Sequence, residues 1–286
     1  MTLAWQVLTE FSAYRVTEIP RPDAGETDTA GHQTADQGRA QRLAALIAAY
    51  HAGAAGTGPG ALAVGWVRHR TGGPVQVLAA GRGLVGSEDG HEVLLALPGG
   101  ARAQPLPPGE LAALMTQLPS WRAIGGISDG LRGDAQRRTA ERLAPSLEEC
   151  LLAVWPGAFG WLLVAEPVPD AEILQIADQV ARREERAAGQ SERFPERAVE
   201  ARRLHLRHAE LRQGRSTGLW RIRLAAGGTD AEAAARVAGL VCASADLAEL
   251  PYALAPADGD AANLRELMED PRPAPAGGDA APGYPC

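Results

Sequence analysis

The sequence predicts an α+β protein of two small mixed α/β domains, the second bearing a protruding antiparallel helical hairpin, followed by a disordered C-terminal tail. Three observations predict it. A chain of 286 residues is long enough for about two domains. Its second half reads strand, helical hairpin, strand, helix, strand, which is an α+β order with its first two strands linked through helices. From Pro256 onward the composition collapses into Asp, Ala, Gly and Pro, as a linker or tail does. The expected units are an N-terminal domain over 1–118, an inter-domain loop region over 119–143, a second domain over 144–256 with the hairpin at 170–213, and the tail over 257–286.

In chain order, Leu3 to Val16 mixes aromatic and β-branched residues and is expected to form an extended strand pair. A polar loop spans 20–34. Leu43, Leu46, Ile47 and Tyr50 recur at helical spacing, predicting an amphipathic helix over 35–52 that the following Gly-rich run ends. Ala61 to Arg68 and Val75 to Ala80 are short β-prone runs, with a third strand over His91 to Leu97. Gly109 to Leu118 is a short helix candidate. The stretch 119–145 is Gly- and Arg-rich with weak periodicity, hence its reading as inter-domain. Ser146 and Glu149 have capping-box spacing ahead of an apolar run, and Ala158 to Ala165 is a continuous apolar stretch of strand length. Asp170 can cap a helix carrying Ile173, Ile176 and Val180. Pro195 is placed to start a second helix with Ala201, Leu204, His208 and Leu211 on one stripe. The two would turn near 189–194. Gly218 to Ala225 alternates like a half-buried strand, Thr229 to Leu247 is a helix with a capping box at Thr229 and Glu232, and Pro251 to Ala255 is a last short strand. A brief helical patch near Leu264 to Met268 interrupts the tail.

Composition excludes several chemistries. All 28 basic residues are arginine, so a P-loop lysine, a Schiff-base lysine, a lysine general base and the strand lysine of protein kinases are absent from the chain. Cys150, Cys242 and Cys286 are odd in number and form no C-x-x-C pair, which suggests neither a disulfide framework nor a zinc site. The N-terminus has no basic segment followed by an apolar one, and no stretch approaches the length of a membrane span. A reducing cytoplasm, no membrane and no cofactor or metal in this chain are the expectations.

Four motifs invite chemistry. Gly81-Arg82-Gly83-Leu84-Val85-Gly86 matches G-x-G-x-x-G, but a β run follows where the dinucleotide motif requires a helix, so a turn between strands is expected. Gly126-Ile127-Ser128-Asp129-Gly130 matches the G-x-S-x-G nucleophile elbow of serine hydrolases, with His205 or His208 downstream as a base. Neither the strand before the serine nor the helix after it is strong, so a flexible Gly-rich loop is the plainer reading. His205 and His208 are three apart on a helix, yet arginines surround them and no nearby carboxylate or cysteine completes a metal-ligand set. No catalytic, cofactor-binding or metal-binding residue is therefore assigned. The arginine concentration between Arg182 and Arg223 stands out in a chain of net charge -7. Interleaved glutamates favour a solvated, salt-bridged hairpin, and Arg202, Arg203, Arg207 and Arg212 make up the candidate interaction surface, for nucleic acid or protein.

The segments Leu143-Ala144-Pro145-Ser146-Leu147-Glu148-Glu149, Trp155-Pro156-Gly157-Ala158-Phe159-Gly160-Trp161, Gly218-Leu219-Trp220-Arg221-Ile222 and Pro251-Tyr252-Ala253-Leu254 resemble the region ahead of the motor domain in bacterial ATP-binding proteins of the HerA and type IV secretion class of P-loop ATPases. The resemblance covers somewhat over a third of the chain. It implies a non-catalytic platform that packs subunits together or docks a P-loop motor, in cis or in trans, onto DNA or a protein partner. The tail Pro282-Gly283-Tyr284-Pro285-Cys286 resembles the linker toward such a motor, so the chain is expected to be the front of a longer protein or a homologue reduced to that part. A standalone protein-interaction module is the alternative, and a serine hydrolase using Ser128 is the second.

Overall fold

A computed structural model describes residues 1–19, 60–89, 92–96, 100–127, 146–244, 253–257, 259 and 261–270. The predicted helix over 35–52 and Ser128 of the elbow motif lie outside the described residues. The protein is a mixed α/β structure built on one antiparallel sheet. Its strands are β1 (Ala13–Glu18), β2 (Leu62–Arg68), β3 (Gln76–Gly81), β4 (Val85–Asp89), β5 (Glu92–Leu95), β6 (Ala101–Leu106), β7 (Ser120–Ile127), β8 (Phe159–Pro167), β9 (Trp220–Gly228) and β10 (Ala253–Pro256). Their order across the sheet is β10-β7-β9-β8-β2-β3-β1-β6-β5-β4. The helices are α1 (Leu3–Thr9), α2 (Glu110–Thr116), a π-helical turn (Glu149–Ala153), α3 (Asp170–Gln190), α4 (Pro195–Thr217), α5 (Ala231–Cys242) and α6 (Leu264–Glu269).

The sheet runs straight across the expected domain boundary. β2 from the first half pairs with β8 from the second along the whole of Leu62–Arg68, and the supposed inter-domain stretch contains β7, which pairs with both β9 and β10. The six central strands, β7-β9-β8 followed by β2-β3-β1, are two copies of one unit, each a short helix followed by three strands. The copies share a sequence signature, Ala63-Val64-Gly65-Trp66-Val67 and Ala158-Phe159-Gly160-Trp161-Leu162. Trp66 and Trp161, equivalent in the two copies, are also directly opposed in the ladder, with ring centroids 5.8 Å apart and planes at 61°. An approximate twofold axis therefore passes through this pair. What reads as two domains is two halves of one sheet, because β2 and β8, each the outer strand of its own half, would be open edges if they did not pair with each other.

One face of the sheet is covered by α1, α2 and α6, with Trp5, Leu8, Leu111, Met115 and Leu264 packed on Ala63, Leu78, Leu162 and Ala225. The other face is covered in the second half by the π-helical turn and α5, where Leu151, Val237 and Val241 meet Phe159, Trp161 and Leu224. Trp121 lies across neighbouring strands on the first of these faces. Built Cβ atoms at Gly227 and Gly160, themselves paired in the ladder, would stand 2.7 and 2.6 Å from its ring, so only glycine leaves room for it. Its Nε1 donates to the carbonyl of Leu118 at 3.0 Å.

Several local expectations need correction. Leu3 to Val16 is not a strand pair: Thr2 caps α1, which buries Ala4, Trp5, Val7 and Leu8, and only Ala13–Glu18 is extended. The capping box at Ser146 and Glu149 forms, with bonds of 2.8 and 3.2 Å. At α5 the cap falls one residue later than expected, on Asp230, which accepts from the Ala233 amide at 2.8 Å. The start of the presumed tail is folded, because Asn263 and Glu266 make a capping box and α6 buries Leu264 and Met268 beside α1. Within Gly81–Gly86, residues 82–84 turn from β3 into β4, so a strand stands where the dinucleotide motif requires a helix, which removes that reading.

Candidate functional site: the helix pair between two adjacent strands

β8 and β9 are neighbours in the sheet and pair from Gly160–Gly227 to Pro167–Trp220. The ladder closes where the Val168 amide donates to the Leu219 carbonyl at 2.8 Å. Antiparallel neighbours need only a tight turn. In the first half the equivalent strands β2 and β3 are joined by residues 69–75 alone, whereas residues 169–218 intervene here.

Those residues form α3 and α4, packed on each other through a core of their own. Ile173, Val180 and Ala187 recur every seven residues on α3, and meet Leu204 and Leu211 of α4. Pro195 occupies the first turn of α4, where its missing N–H costs nothing. With 21 residues, α3 is about 31 Å long. At the base, Arg221 on β9 pairs with Glu172 of α3 and reaches Glu166 of β8 at 3.9 Å, while Arg223 holds Glu166 at 3.2 Å. Leu174, Phe194, Val199 and Leu206 of this insertion are exposed.

The four arginines expected to form one surface do not. Arg202 and Arg212 are exposed and Arg203 is half-buried. Arg207 is only 5% exposed and pairs with Glu210 at 2.7 Å, so it belongs to the packing of the helix pair. The histidines also differ from expectation, because a carboxylate does stand near them. Glu184 of α3 accepts from Nδ1 of His205 at 2.8 Å and meets Nδ1 of His208 at 3.2 Å, clasping α4 to α3. Among the described residues no group of three or more His, Cys, Asp or Glu side chains is placed to hold a metal ion. Burial pushes the Cys242 thiol up to about 11, so it is protonated at neutral pH and a poor nucleophile. No described helix is long and apolar enough to cross a membrane.

A second clasp lies toward the turn. Glu200 accepts from Arg197 at 2.5 Å and from Arg183 of α3 at 3.4 Å. Beside it, Gln179, Arg182, Arg183, Arg186, Ala187 and Gln190 of α3 line a groove of about 720 Å³ with Arg197 and Glu200 of α4. In the sequence this set is overshadowed by the denser arginines of α4. The signal was present, since 179, 182, 183, 186 and 190 share one helical face.

Both clasp carboxylates ionise more readily than an ordinary glutamate. For Glu184, burial raises the pKa, and the hydrogen bonds and charges of His205 and His208 together outweigh it. For Glu200 the Arg197 hydrogen bond lowers it, burial opposes, and Arg183 adds to the lowering. A carboxylate with a depressed folded pKa stabilises above its unfolded value, and that contribution is lost as pH falls through the folded one. The thermal midpoint of the helical circular-dichroism signal is therefore expected not to fall between pH 7 and 5, and to fall below the ordinary glutamate value of about 4.5. The Glu184→Gln/Glu200→Gln double variant should flatten that acid limb; an unchanged limb would show that the clasps do not hold the pair.

No protein family, curated protein or solved structure matches the chain.

Proposed function

We propose that the chain is a non-catalytic platform whose helix pair is a docking arm, of the kind implied by its resemblance to the pre-motor region of HerA-like and type IV secretion ATPases. One observation carries the reading. Two strands that already pair, and whose counterparts are joined by a short loop, are separated by a long insertion with its own core and exposed apolar side chains. The sheet does not need this insertion for its ladder, which favours a role outside the fold. Because the chain has no lysine, it supplies no Walker A site, and ATP hydrolysis would belong to a motor in cis or in trans. The arm would then pack subunits together or hold the motor against its partner, in the cytoplasm.

Replacing residues 169–218 by a four-residue Gly/Ser turn tests this. The expected result is a body that keeps a cooperative thermal transition while light scattering shows loss of assembly, with itself or with a purified HerA-class ATPase domain. Assembly that survives the deletion, or an intact chain that assembles with neither, would overturn the reading.

A further inference from the structure

We infer that the groove near the turn of the helix pair is a binding site for the phosphodiester backbone of nucleic acid, recognised without regard to sequence. The inference rests on the reading of the pair as a docking arm and names what one face of it grips.

The groove presents four guanidinium groups against one carboxylate. That carboxylate, Glu200, is already neutralised from two sides by Arg183 and Arg197. Arg182 is held by Asp178 on its own helix at 2.5 Å. Arg186 is exposed and makes no ion pair with a described acid; its Nε donates to the Arg182 carbonyl at 3.1 Å, which fixes the stem and leaves the terminal nitrogens for a ligand. From Gln179 to Gln190 the donors run about 16 Å along one helical face, long enough to meet more than one phosphate of a strand.

The lining argues for phosphate over a protein partner. Arginine forks and glutamine amides supply donors suited to phosphate oxygens. Among the described lining residues the only apolar one is Ala187, so they offer no pocket for the buried aromatic or aliphatic anchor on which protein interfaces depend. None of the described lining residues is an aromatic on which a base could stack, so the contact is to the backbone and not to the bases.

The test is fluorescence anisotropy of the full chain with a fluorescein-labelled 20-nucleotide oligo(dT), and with a duplex of the same length, at 20 to 200 mM salt. Binding on the order of micromolar at low salt is expected, weakening steeply as salt rises. The triple variant Arg182→Gln/Arg186→Gln/Arg197→Gln should bind at least tenfold more weakly. Its slope of log affinity against log salt should be shallower by about 2, as loss of three phosphate contacts to a single strand requires. The Arg202→Gln/Arg212→Gln variant, which removes equally exposed charge outside the groove, should stay within threefold of the parent. Circular dichroism confirms that each variant retains its helices. No binding at 20 mM salt, equal losses in the two variants, or equally tight binding of a labelled poly-glutamate peptide would each overturn the site. Any of these leaves the docking-arm reading to its own assembly measurement, so the two can fail separately.

Discussion

Trp121→Ala should lower the unfolding free energy by about 3–5 kcal/mol, a loss large enough to leave much of the protein unfolded at growth temperature. The indole is fully buried, and it spans β7, β9 and β8 by resting on the bare backbone of Gly227 and Gly160. Three strands therefore close around one ring, and the cavity left by its removal cannot be filled by neighbours that have no side chains. The converse substitution should be as damaging. Gly227→Val would drive a side chain into the ring plane while the Leu118 carbonyl still holds Nε1. Urea denaturation followed by tryptophan fluorescence measures both. A loss under 1 kcal/mol for Trp121→Ala would mean that this seam is not what holds β7, β9 and β8 together.

That seam also explains what could be read from the chain and what could not. β2, β3 and β8 were legible because Leu62–Arg68, Gln76–Gly81 and Phe159–Pro167 carry continuous apolar or β-branched runs. The bounds of α3 and α4 were legible from the spacing of Ile173, Val180, Leu204 and Leu211 and from Pro195. β7 is hidden in the sequence because its own Gly125 and Gly126 argue locally against a strand. α1 was mistaken for strand on the β preference of Trp5, Val7 and Phe11, although Ala4, Val7, Leu8 and Phe11 already had helical spacing. Single-sheet architecture depends on the β2–β8 ladder, a pairing between distant segments that no local window sees. The repeated Ala-x-Gly-Trp signature was the available clue. In the arm, Arg207 was read as solvent-facing because an arginine on a helix usually is. Its inward turn is set by packing against α3, which spacing alone does not reveal.

The second large effect concerns a charge placed inside the body. Arg68 is 6% exposed and has no carboxylate partner among the described residues, and burial lowers its pKa from the usual arginine value. Its charge is instead offset by the carbonyls of Leu151 and Trp155, at 3.2 and 2.9 Å, and by the ring of Phe159, whose centroid is 4.8 Å from the guanidinium carbon. The two carbonyls lie at and just beyond the π-helical turn Glu149–Ala153, whose C-terminal end carries partial negative charge. Arg68→Leu would leave both carbonyls desolvated without a donor, at about 1–3 kcal/mol each, so a total loss of about 2–6 kcal/mol is expected. Arg68→Lys should recover only part of it, since a single ammonium on a flexible stem cannot bridge two carbonyls and lie flat on a ring at once. Urea titration of the two variants gives the ordering, and an Arg68→Leu protein within 1 kcal/mol of the parent would contradict it.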